Sequence, residues 1–167
     1  MKNLIRLAAL LLVVLGVGNC FAMANVERDV LSGKPAPAFS LMDLNEKEVS
    51  STDFFGKQPV VLFFWATWCP HCRTAIKQLN EISSSLKSKG AEIITVDLGE
   101  RKSLVKSYMK EHNYNLIVLL DEAEALVEPY GVVGVPTFFL IDRYGKVSLK
   151  TYSLPEDYET ILFKDKI

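Results

Sequence analysis

The chain has 167 residues, 49% of them apolar, and a net charge of −1 from 19 basic and 20 acidic side chains. That length and apolar content suit one domain built on one core. The mild charge balance, with no basic stripe, removes the electrostatic case for nucleic acid binding.

Residues 1–24 read as a secretory signal peptide: Lys2 and Arg6 form the charged start, Leu7 to Val17 the apolar run, and Ala22-Met23-Ala24 a small-residue cleavage site. Removing Lys2 and Arg6 leaves 17 basic against 20 acidic groups, a charge of −3. Two other fates for the leader stay open. Val17-Gly18-Asn19-Cys20 outlines a lipoprotein box, though Asn19 suits one poorly, and the leader could be kept as a membrane anchor. The eleven-residue run is short of the ~20 residues that span a bilayer. Export would place the protein where disulfides persist. Cleavage after Ala24 would leave Cys69 and Cys72 as its two cysteines.

Residues 25–34 are polar and unpatterned, a linker to a domain over 35–167, which Pro35 and Pro37 enter rigidly. Between Ala38 and Ser51, two strand-like pieces flank the turn-forming Asp43-Leu44-Asn45-Glu46 and predict a hairpin. Val60 to Ala66 is an apolar run fit for a buried central strand. Ala75, Ile76, Leu79, Ile82 and Leu86 then recur at helical spacing, and Lys89-Gly90 supplies the stop. Ile93 to Asp97 predicts a strand. Leu104, Val105, Tyr108, Met109 and His112 mark an amphipathic helix whose Arg101, Lys102, Lys106 and Lys110 form a solvated face. Leu116 to Leu120 predicts another buried strand, and Glu122 to Glu128 a short helix ended by Pro129 and Gly131. Pro136 to Ile141 is strand, Asp142 to Gly145 a turn, Val147 to Tyr152 a partner strand. A last helix runs from about Ser153-Leu154-Pro155 to Lys164, with Tyr158, Ile161 and Leu162 inward. Alternating strands and helices before a terminal hairpin indicate an α/β fold on a mixed sheet.

Cys69-Pro70-His71-Cys72 sits where the central strand hands over to the helix. Pro70 suits the first helical position, which leaves Cys69 at the helix N-terminus, where free N–H groups and the positive dipole end favour a thiolate. Cys69 is the expected nucleophile. Cys72, three residues on, shares its helical face and can close a disulfide or attack a mixed disulfide on Cys69. A zinc site would need four ligands, and only His71 and His112 remain to join the two cysteines. Haem attachment would need histidine where Arg73 stands. No cofactor is expected beyond the Cys69–Cys72 pair itself, and no metal. His71, beside the thiols, would stabilise a Cys69 thiolate and make the disulfide more oxidising.

Trp65-Ala66-Thr67-Trp68-Cys69-Pro70-His71-Cys72, with Gly134-Val135-Pro136-Thr137 downstream, resembles the thioredoxin-fold oxidoreductases. Pro35 to Leu41 and Phe139 to Gly145 narrow the resemblance to the extracytoplasmic TlpA/ResA-like branch, over nearly all of the chain after the leader. That implies a thioredoxin-like sheet with an N-terminal β-hairpin and one extra strand–helix unit. It implies a cis proline at Pro136 that turns the Val135 backbone toward an extended peptide, with Trp68 as an apolar shelf for that partner. Thioredoxins place a buried aspartate on the central strand to take the proton of the resolving thiol. The matching position here is Phe63. Glu100, in Asp97-Leu98-Gly99-Glu100, matches a glutamate of the ResA-type proteins and becomes the expected acceptor of the Cys72 proton, with Asp97 as the second candidate.

The resemblance further implies reduction of protein disulfides in the periplasm or another extracytoplasmic space, with apocytochrome c as substrate and a membrane thiol–disulfide transporter as reductant. The membrane would be touched only through an uncleaved or lipidated leader. Cys-Pro-His-Cys also resembles the centre of the oxidase DsbA, so an oxidase or isomerase is the alternative. Pro136 lies only 64 positions after Cys72, which leaves no room for that oxidase's all-helical insertion. A peroxiredoxin would carry threonine at position 66, where alanine stands. A non-catalytic metal or haem carrier would lack a third soft ligand.

Overall fold

The computed structural model describes residues 31–164. The leader, most of the expected linker and the last three residues lie outside them. The strands are β1 (Ser40–Asp43), β2 (Glu48–Ser50), β3 (Val60–Trp65), β4 (Glu92–Leu98), β5 (Ile117–Asp121), β6 (Thr137–Ile141) and β7 (Val147–Thr151). The helices are α1 (Pro70–Ser88), α2 (Lys102–Glu111) and α3 (Tyr158–Leu162), with a 3-10 turn at Ser51–Asp53.

The strands form one mixed sheet in the order β2-β1-β5-β4-β3-β6-β7. β3, β4 and β5 run parallel, and the remaining pairings are antiparallel. β3 is buried at every position, as its unbroken Val-Val-Leu-Phe-Phe-Trp requires of a strand covered on both faces. One face carries Val61, Phe63, Trp65, Ile93, Val118, Leu120 and Phe138 against Ile76, Leu79 and Leu86 of α1, Val105 and Met109 of α2, and Leu162 of α3. The other, with Val60, Leu62, Phe64, Ile94, Val96 and Phe139, lies under Phe39, Leu126, Tyr130 and Val132. All three helices share the first face, and the second is roofed by loops.

The hairpin forms where expected because the Asp43 carboxylate accepts from the backbone N–H groups of Asn45 and Lys47. Two lysines expected on a solvated face brace it from α2: Lys102 pairs with Glu46, and Lys106 Nζ donates to the Leu44 carbonyl at 3.2 Å. In the expected linker, Gly33 N donates to Val147 O at 2.8 Å, and Val147 N donates to Lys34 O at 2.9 Å.

Three expectations are corrected. Residues 122–128 are turns, not helix, because the Asp121 carboxylate captures the N–H groups of Ala125 and Leu126 at 2.8 Å each. Glu124 takes a left-handed φ of 54°, which no helix accommodates. The last helix starts at Tyr158 rather than near Pro155, and Thr151 Oγ1 donates to the Ser153 carbonyl to hold a bend before it. Leu104 lies outward, half exposed, because Val105 and Met109 fill the buried stripe of α2.

Candidate active site

The site sits at the C-terminal ends of β3 and β4, where the chain leaves the sheet and enters α1. Cys69 caps that helix in an extended conformation, its Sγ accepting from Cys72 N at 3.2 Å, and Pro70 occupies the first turn. Cys69 and Cys72 are joined as a disulfide with a Cα–Cα separation of 5.2 Å. The helix N-terminus thus aims its partial positive charge at Cys69. Cys69 is nearly buried and Cys72 fully so. Of the pair, only Cys69 retains a trace of exposure to a partner.

The Val135–Pro136 bond is cis. It brings the Val135 carbonyl oxygen to 3.7 Å from Cys69 Sγ. Trp68 is 65% exposed and Val133 76%, two large apolar side chains from the segments that carry the disulfide and the cis proline. His71 is exposed on the first turn of α1. Trp65, by contrast, is fully buried in the core. The structure therefore brings Trp68, Cys69, Pro70, His71, Cys72, Val135 and Pro136 together at one edge of the domain.

Glu100 lies behind this edge, 8% exposed. Gly99, at φ +74° and with its N–H donating to Asp121 O, turns the chain at the end of β4 so that Glu100 points back to β3. There the two Glu100 oxygens accept from Thr67, one from its N–H at 2.5 Å and one from its hydroxyl at 2.7 Å. Arg73 Nε donates to the Thr67 carbonyl at 2.7 Å, and Cys69 N donates to Ala66 O at 3.2 Å. Thr67 is thus fixed through three of its polar groups, and the turn carrying Trp68 and Cys69 is fixed with it. No local pattern announces this clamp, since 33 residues separate Thr67 from Glu100. Among the described residues, no hydrogen bond joins Glu100 to Cys72.

Asp97 is fully buried at the end of β4, where its carboxyl faces the Glu100 carboxylate and backbone N–H. Burial, then the adjacent Glu100 carboxylate and more weakly Glu122, push its carboxyl up to about 8, against a smaller opposing pull from the Glu100 backbone N–H. Among the described residues, no three His, Cys, Asp or Glu side chains are grouped to hold a metal ion.

Comparison with known proteins agrees with this geometry. The AhpC/TSA family model matches residues 32–150. The thiol-disulfide oxidoreductase ResA of Bacillus thuringiensis subsp. konkukian is 39% identical over 134 residues, 79% of this chain and 77% of that protein. ResA of Bacillus subtilis is 33% identical over 165 residues, 95% of this chain and 92% of that one. Among solved structures, the thioredoxin domain of a thiol-disulfide oxidoreductase from Bacteroides vulgatus superposes with a TM-score of 0.69 at 30% identity, covering 78% of this chain and 94% of that one. Matched over most of its length by the family model and by these relatives, the chain belongs to the AhpC/TSA family as a ResA-like thiol-disulfide oxidoreductase with a thioredoxin-like fold.

Proposed function

We propose that this oxidoreductase reduces protein disulfides outside the cytoplasm, with apocytochrome c as its substrate class and a membrane thiol–disulfide transporter as the source of electrons. The observation that carries the mechanism is the placement of Cys69. It caps a helix N-terminus, lies 3.7 Å from the Val135 carbonyl, and directly follows the exposed Trp68. In the reduced enzyme the Cys69 thiolate attacks a substrate disulfide, forming a mixed disulfide and releasing one substrate thiolate. Cys72 then gives up its proton and attacks Cys69 Sγ. The mixed disulfide breaks, the second substrate sulfur leaves, and Cys69–Cys72 closes. An external dithiol restores the reduced pair by the same steps in reverse. Pro136 shapes the groove, and the Val135 backbone and Trp68 receive the substrate chain.

The reducing direction and the substrate rest on resemblance to proteins named ResA, as does the place of action. The leader over residues 1–24 would direct export; among the described residues no helix is long and apolar enough to cross a membrane. Glu100, expected as the acceptor of the Cys72 proton, has both oxygens engaged by Thr67, which favours a role in holding the turn. The oxidase or isomerase reading keeps one observation in its favour, the exposed His71 beside the disulfide.

Turnover of insulin disulfides with dithiothreitol as donor tests the reading. Catalysed reduction that is lost in both Cys69→Ser and Cys72→Ser supports it. Net oxidation of reduced, unfolded protein thiols with no insulin reduction would replace it with the oxidase.

A further inference from the structure

The end of the domain away from the disulfide is a surface that the dithiol chemistry does not use. β3 runs from Val60 toward the active-site turn, and Val60 is in register with Ile141, where β6 stops and the turn to β7 begins. The six residues of β3 place that turn roughly 20 Å from the site. Three segments meet there. Ala36 N donates to Gly145 O and Val147 N to Lys34 O, at 2.9 Å each, and a Cβ on Gly145 would stand 3.2 Å from Gly56 N.

Together these segments gather Lys34, Lys57, Arg143 and Lys146, all exposed, around Tyr144, which is 66% exposed. Among the described residues, none of the four cations is ion-paired with a carboxylate. Two acidic residues share the same segments. Asp142 is buried and accepts from the N–H groups of Tyr144 and Lys146, which leaves Asp53 as the exposed one. The adjoining rim, where Glu92 N donates to Pro59 O, adds no net charge, because Lys87 pairs with Glu92 and Lys89 with Glu159. Like charges gathered without counter-charges repel one another, and a negative surface laid against them relieves that repulsion.

The chain enters the domain at this same end. Gly33 and Lys34 are bonded to Val147, so the leader and the residues after it join the domain beside the four cations. The leader alone is a weak hold on a bilayer. Its apolar run of eleven residues is short of a span, and a single acyl chain at Cys20 would bind only reversibly. One weak apolar anchor beside a cluster of basic side chains is the combination that holds a protein at a membrane surface.

We propose that this basic end is a membrane-contact face: it rests on the anionic headgroups of a phospholipid bilayer, with Tyr144 at headgroup level and the Cys69–Cys72 disulfide turned to the aqueous side. The inference rests on the export reading and is independent of the direction of electron flow. It gives the domain itself, and not the leader alone, a part in holding the membrane. Screened charges make the contact, so it breaks and re-forms and leaves the domain free to turn its disulfide to a reductant in the membrane.

The test is co-sedimentation of the full-length oxidised protein with vesicles of phosphatidylcholine, alone or mixed with phosphatidylglycerol, at low and at high salt. The comparison is a variant carrying Lys34→Gln, Lys57→Gln, Arg143→Gln and Lys146→Gln together. The leader, with Lys2 and Arg6, is the same in both proteins, so its share cancels. Each cation that reaches an anionic surface is worth about fivefold in partitioning. The wild type is expected to prefer the anionic vesicles and the variant to lose at least about tenfold of that preference, with the gap closing at high salt. The variant is expected to keep the wild-type urea midpoint, because all four side chains are exposed. Neither readout involves insulin, so a failure of the reductase reading leaves this test intact. Orientation is read without removing any charge. Tyr144→Trp adds an emitter at the basic end, while the exposed Trp68 reports from the disulfide end. With spin-labelled phosphatidylglycerol headgroups the added emission is expected to be quenched and the wild-type emission spared. Equal binding of the wild type to both kinds of vesicle overturns the proposal, as does a variant that binds anionic vesicles as tightly as the wild type. So does quenching of the wild-type emission that matches or exceeds that of the added tryptophan.

Discussion

The buried Asp97 makes folding itself depend on pH in a direction opposite to that of an ion-paired carboxylate. In the folded chain its carboxyl stays protonated up to about 8, against 3.8 for an ordinary aspartate. Between those values the folded state holds a proton that the unfolded state has released, so stability falls as the pH rises. The contribution is fully present below about pH 3.8 and is lost as the pH passes through 8. Each pH unit is worth about 1.4 kcal/mol. At pH 7, some three units above the unfolded value, the wild type has therefore lost about 4 kcal/mol, an order-of-magnitude figure. An asparagine of nearly the same shape cannot ionise and escapes this loss. Asp97→Asn is thus expected to gain on the wild type by about 1.4 kcal/mol per unit between pH 5 and pH 7. Urea unfolding of both oxidised proteins at pH 5, 6, 7 and 8 measures the gap, and the carboxylates remote from Asp97 cancel in the difference. A gap that does not change with pH would refute the reasoning, as would a variant that loses ground between pH 5 and pH 7.

The clamp behind the disulfide gives a second expectation. Thr67→Val removes the hydroxyl that donates to the buried Glu100 and is expected to lower stability by about 1.5–3 kcal/mol in the same urea assay, while Thr67→Ser keeps most of it. Trp68 is 65% exposed, so Trp68→Ala should leave stability within about 0.5 kcal/mol and raise KM for insulin. His71→Ala removes the polar neighbour expected to favour the Cys69 thiolate. It should make the disulfide harder to reduce, with ~30 mV in potential for each tenfold change in equilibrium constant, read against glutathione buffers.

The parts of the fold legible in the sequence are those written in local chemistry. The apolar run of β3, the Cys69 cap with Pro70 behind it, and the Asp43 turn are each specified by residues within a few positions of one another. The turn at residues 122–128 was hidden because its cause is one side chain, Asp121, competing with the helix for the same N–H groups. The site was legible in its motif residues and opaque in its support. Thr67 meets Glu100 only after β3 and β4 pair, and Arg73 matters because it reaches back to the Thr67 carbonyl. Asp97 read as a second candidate beside Glu100; its burial between Trp65 and Leu120 follows from sheet register, which no local pattern in the chain specifies.

As a reductase, the Cys69–Cys72 dithiol must be poised to give electrons to protein disulfides. The equilibrium reduction potential of that pair at pH 7, titrated against dithiothreitol and glutathione buffers, tests it most directly. A reductase of this kind is expected at roughly −250 mV or lower, in the thioredoxin range. A value near −120 mV, about that of a strong oxidase, would contradict it.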